Sequence, residues 1–131
     1  MKNRNELILS IRGNSLGNIT KHCTAEERFQ NETLRPILKL NNDLWIASFK
    51  NYISTHKFNF YTLSLEDKLT FIESAIQKDI KYRNILIGMT ICWFTTSEFE
   101  QYTSNSSNLN KRIINLIIER LKSQIQLFES V

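Results

Sequence analysis

A chain of 131 residues, 41% hydrophobic and 23% charged, has the makeup of one globular domain with a core of its own. Three glycines and one proline leave too few tight turns for a sandwich or barrel, and the longest charge-free apolar run falls short of the about 20 residues that a membrane helix needs. The net charge of +4 is mild and gathers at the two ends: residues 1–24 carry four basic and one acidic side chain, residues 108–131 four and two, while 64–107 are net acidic.

The first residues, MKNRNELILSIRG, include an early acid and lack a small-residue cleavage site, so no export signal is expected. Cys23 and Cys92 then read as free thiols, and the location as cytoplasmic. Residues 4–11 suit a short helix, after which Gly13 and Gly17 break the pattern. Residues 1–23 are accordingly expected to be a flexible amino-terminal segment, and 24–131 a single helical-bundle domain.

Thr24 with Glu27 forms a capping-box pattern, and the spacing predicts a long helix from there to about Thr55. Along it Ile37, Leu40 and Leu44 share one side, and Leu38, Trp45, Phe49 and Tyr52 an adjacent one. Pro36 stands inside this stretch, so a kink or a break is expected there. An aromatic connector follows, with Phe58, Phe60 and Tyr61. Ser64, with Glu66 and Asp67 behind it, then opens the next helix.

From Leu65 the positions Leu69, Ile72, Ile76, Asp79, Arg83, Leu86, Thr90 and Trp93 alternate by three and four, which is a heptad-like seam. The uncharged run Ile85–Phe94 (ILIGMTICWF) widens its apolar face and makes this the expected central, buried helix; a strand over the same run is the rival reading. Thr95 with Glu98 is a second capping box. Beyond Asn105-Ser106-Ser107-Asn108 a last helix should run to about Glu129, with Ile114, Ile118, Leu121, Ile125 and Phe128 in one stripe. The expected fold is all-α: a compact bundle of three long helices plus short ones around the buried central helix.

The stretches FQNETLRPILKLNNDL (29–44), AIQKDIKYRNILIGM (75–89), FTTSEFEQY (94–102) and NSSNLNKRIINLIIERLKSQIQLF (105–128) together resemble a group of small all-helical bacterial proteins, some of which bear the name glyoxalase. The resemblance implies a helical fold and a cytoplasmic setting, and carries no catalytic residues with it. Glyoxalase I-type chemistry uses paired βαβββ modules and a divalent metal on His, Glu or Gln. Here the only histidines, His22 and His56, lie in expected loops without a helical i, i+4 partner. No catalytic residue, metal site or cofactor is assigned.

Three constellations could carry function. Asp79 and Arg83, one turn apart on the seam, form a candidate buried polar pair, either fixing helix register or lining a pocket with Asn84 and Thr90. Ser106, Ser107, Lys111 and Arg112, at the start of the last helix, form a candidate anion site, unless the two cations pair with Glu98 or Glu100. Ile118, Leu121, Ile125 and Phe128 form a candidate interface, because the end of the last helix promises thin cover. Trp45, Phe49 and Trp93 read as core, and Cys92, among apolar neighbours, as an inert thiol.

These readings point first to a non-catalytic helical interaction module that associates with itself or with a protein partner. The alternative is nucleic-acid or phosphate-ligand binding through the basic start of the last helix, with strong salt dependence. A glyoxalase-named enzyme, or one working beside Asp79 and Arg83, is a third alternative. No membrane association is expected.

Overall fold

The computed structural model describes residues 2–13, 23–56 and 59–129, and over these the chain is helical without a strand. Eight α-helices carry it: α1 (Arg4–Arg12), α2 (Ala25–Phe29), α3 (Arg35–Leu40), α4 (Asn42–Thr55), α5 (Leu65–Lys78), α6 (Ile80–Ile91), α7 (Thr96–Thr103) and α8 (Ser106–Ser123). None is long and apolar enough to cross a membrane. His22 and Phe58 lie outside the described residues, as does most of the expected loop after Gly13.

Side-chain caps set most of the starts. Asn3, Thr24, Ser64 and Thr95 each accept a hydrogen bond from the backbone amide three residues on, at 2.9–3.2 Å. Only Thr95 completes the reciprocal box, with its own amide donating to Glu98 at 2.8 Å. Gly13 closes α1 at a φ of 82°, a backbone that glycine adopts without a Cβ clash.

The two long helices read from the sequence are each divided. Pro36 falls near the start of α3, where its missing donor does little harm, and a π-turn over Gln30–Leu34 widens the helix just ahead of its ring. The break itself comes later, at Asn41, whose side chain donates to the Ile37 carbonyl at 2.9 Å while the Trp45 indole takes the Leu38 carbonyl at 3.0 Å. That break alters the phase of the apolar stripe and leaves Leu40 and Leu44 on the surface.

The seam helix divides at Asp79, which adopts extended backbone, ends α5 and caps α6 through the Tyr82 amide at 3.2 Å. An aspartate inside a helix competes for backbone amides, and here the cap wins over continuation. The uncharged run is helical, with Leu86, Ile87, Thr90 and Phe94 turned inward and Ile85, Gly88 and Cys92 outward. Cys92 therefore sits at an exposed turn rather than in an apolar interior.

Helix α8 runs through the most enclosed part of the bundle, burying Leu109, Ile113, Ile114, Leu116, Ile117, Ile118 and Leu121 against α3–α7. The candidate interface is part of this core. Ile118, Leu121 and Phe128 are buried and Ile125 is half-buried, because a short 3-10 turn over Ile125–Leu127 folds the chain end back. Phe128 then packs edge-on against Phe49, ring centroids 5.3 Å apart.

The amino-terminal helix also belongs to the bundle. Arg4 donates to the Cys92 and Phe94 carbonyls at 2.8 and 2.7 Å, and Asn5 exchanges hydrogen bonds with Thr96. Arg12 is buried and forks onto both carboxylate oxygens of Glu98. Residues 4–12 are thus held by long-range contacts and are not a detached arm.

Candidate functional site

Asp79 and Arg83 do not pair. Capping α6 turns the Asp79 carboxylate toward α4, where the Tyr52 hydroxyl donates to it at 3.0 Å and His56 Nε2 stands 3.8 Å away. Tyr52 stacks between His56 and Tyr82, with centroids at 3.9 and 4.4 Å. The Tyr82 amide and then the Tyr52 hydroxyl hold the Asp79 carboxyl below its usual range. Burial and the Asp79 carboxylate push the Tyr52 phenol up to about 12, so it stays protonated. The cluster locks α4 to the α5–α6 corner.

The predicted anion site at the start of α8 already has its anion. Ser106 and Ser107 open the helix, but Lys111 and Arg112 come a turn later than expected. Glu26 of α2 lies across this end, accepting from Asn105 Nδ2 at 2.8 Å and from Arg112, whose Nη2 is 3.2 Å away. Asn105 first, then Arg112, keeps the Glu26 carboxyl below its ordinary value. Arg112 also donates to Gln30 at 2.8 Å. The partner is thus Glu26, not Glu98 or Glu100, and it neutralises the positive helix end from within.

Lys111 and Arg83, one from each predicted constellation, come together instead. With Gln77 of α5 and Ile114 and Asn115 of α8 they line a concavity of about 370 Å³ with no acidic side chain. Neither cation has a hydrogen-bond or ion-pair partner among the described residues, and Arg83 Nε is buried without an acceptor. A buried donor left unmade is costly, and an anion in the concavity would satisfy it.

The concavity continues along α8. Lys111 and Asn115 also line a second hollow with Arg35 and Glu119, and Arg35 and Glu119 line a third with Arg120 and Gln124. Neutral amides position both arginines: Arg35 Nε donates to Asn31 at 3.0 Å, and Arg120 to Asn42 at 3.3 Å. Asn42 and Gln124 exchange hydrogen bonds at 2.7 and 2.8 Å, holding that acceptor in place. Burial first, and the neighbouring Arg35 charge second, lower the Arg120 guanidinium from its usual value, although an arginine remains charged. Glu119 is the acid in this groove and pairs with neither arginine.

Arg12, Arg28, Arg112 and Lys122 are paired with carboxylates, whereas Arg35, Arg83, Lys111 and Arg120, which line the hollows beside α8, form no ion pair among the described residues. Gln77, Asn115, Arg35 and Arg120 escape a reading based on motifs. The available signal is the α8 spacing Lys111, Asn115, Glu119, Ser123, a polar stripe opposite the buried one. Among the described residues no three His, Cys, Asp or Glu side chains converge as metal ligands would. No family model, curated protein or solved structure matches the chain.

Proposed function

We propose that this protein binds a phosphate-bearing anion, without catalysis, in the concavity between α6 and α8. The observation that carries the reading is the meeting of Arg83 and Lys111, two cations without partners among the described residues, over a hollow that no described carboxylate lines. Arginine offers a planar fork of donors and lysine a mobile point charge, a combination suited to phosphate oxygens. Gln77 and Asn115 add neutral donors at the same rim. Glu26, by contrast, makes the helix start a poor place for an external anion.

Calorimetric titration with tripolyphosphate at low salt tests this. Each charge-assisted contact contributes about 1.5–3 kcal/mol, so Arg83→Gln or Lys111→Gln should weaken binding about tenfold or more. Unchanged affinity in both variants, with helicity intact, ends the reading.

A second reading, association with a protein partner or another copy, draws on surface apolar residues. Leu7, Leu9 and Ile11 project outward from α1 because its polar side chains make the docking contacts. Sedimentation equilibrium at high protein concentration tests the self-association form, and a strict monomer there removes it.

A further inference from the structure

The three hollows form one track. Lys111 to Ser123 spans about 18 Å at 1.5 Å per residue, with Arg83 and Lys111 at one end, Arg35 over the middle and Arg120 toward the other end. A single phosphate would engage one end only. A duplex strand presents its phosphates in regular succession, so a track of this length faces several of them. No aromatic side chain lines any of the three hollows, which leaves no platform for stacking unpaired bases. The interspersed amide of Asn115 can donate to phosphate or sugar oxygens between the cations, a contact that positions a backbone without reading sequence.

Resting on the phosphate-binding reading above, we propose that this track holds the sugar–phosphate backbone of a nucleic-acid duplex independently of sequence, with Arg83 and Lys111 on phosphates at one end, Arg35 over the middle and Arg120 beyond it. Glu119, near the middle, opposes the backbone and moderates affinity.

The test is fluorescence anisotropy of the full chain with labelled DNA and RNA duplexes and single strands of matched mixed sequence, across a salt series. Four phosphate contacts predict a slope of log K against log salt of about −3.6. Arg83→Gln and Lys111→Gln together, or Arg35→Gln and Arg120→Gln together, should each make that slope shallower by about 2. Glu119→Gln should tighten binding several-fold. The DNA and RNA arms show which duplex is preferred, and binding to either, with those slopes, supports the proposal.

Single strands binding more tightly than both duplexes overturn it. So does a slope and affinity unmoved by the Arg35/Arg120 change in a variant of normal melting temperature. Tripolyphosphate binding that depends on Arg83 and Lys111, with no duplex binding, overturns the track but leaves the phosphate-binding reading standing. Failure of both ligands overturns both.

Discussion

Arg12 and Arg83 are both drawn out of solvent, and their surroundings could hardly differ more. The Arg12 side chain is 3% exposed and meets Glu98, itself 14% exposed, in a two-pronged contact; the Trp93 and Glu32 carbonyls stand within 3.4 Å. Glu98 in turn accepts from the Thr33 hydroxyl and the Thr95 amide, each at 2.8 Å. Arg83 has a buried Nε, no acid beside it, and a second cation facing the same hollow. Arg12 Nε also lacks an acceptor, so the contrast lies in the rest of the guanidinium. A charge enclosed by its counter-charge holds chain segments together. One enclosed without a counter-charge is held in reserve for something else.

The sharpest way to break this contrast is to remove one member of the enclosed pair. Arg12→Ala or Glu98→Ala should lose about 3–5 kcal/mol in urea unfolding, because each strands a buried charge. Replacing both with apolar residues of similar size should recover much of that loss. If either single change leaves the unfolding midpoint untouched, the pair does not hold α1 in place.

Acid titration probes the same pair more gently. Burial pushes the Glu98 carboxyl up, but Arg12, the Thr95 amide and the Thr33 hydroxyl together hold it below 4.5. A lowered carboxyl stabilises the fold above its unfolded value, and that contribution fades as pH falls through the folded value. Thermal melts should therefore decline steadily below about pH 4.5, and Glu98→Gln should flatten that decline. Equal acid sensitivity in both proteins would place the effect at other carboxylates.

The Tyr52 lock should be weaker. Tyr52→Phe removes one hydrogen bond to a partly exposed carboxylate and should reduce stability by about 1 kcal/mol, read by denaturant unfolding. Opposite in sign should be Arg83→Met, which should match the parent or exceed it by about 1–3 kcal/mol, since no ion pair is broken and a buried donor without an acceptor is removed. A large loss there would show that Arg83 serves the fold as Arg12 does, and the distinction between them would collapse.

How legible each region is in the sequence follows from the range of its contacts. Caps are local: Thr24, Ser64 and Thr95 sit where the helices start, within three residues of the amides they bind. Asp79 carries the same local signal, but the three-four rhythm around it suggests an unbroken helix, and its cap overrides that rhythm. The stripe ending in Phe128 was readable as apolar but not as internal, because the turn at Ile125–Leu127 that folds it inward has no glycine or proline to announce it. Arg12 meets Glu98 across 86 positions, and Glu26 reaches Arg112 across a similar gap. No spacing rule reaches that far. The groove was half legible: Arg83 and Lys111 stood out one by one, but only the α6–α8 packing brings them to one hollow.

The π-turn over Gln30–Leu34 acts as a phase shifter for that packing. Glu26 and Arg35 are nine positions apart, and nine α-helical steps of about 100° would put them on opposite sides of the rod. Absorbing one extra residue in the wide turn reduces the separation to about 80°. Both side chains then face α8, Glu26 against its start and Arg35 over its middle. Winding the same residues as a regular α-helix would turn one of the two away, whereas deleting one residue between Gln30 and Leu34 would keep them about 80° apart. It is the wide turn that lets the longer chain hold the internal anion and the open cationic groove on the same helix.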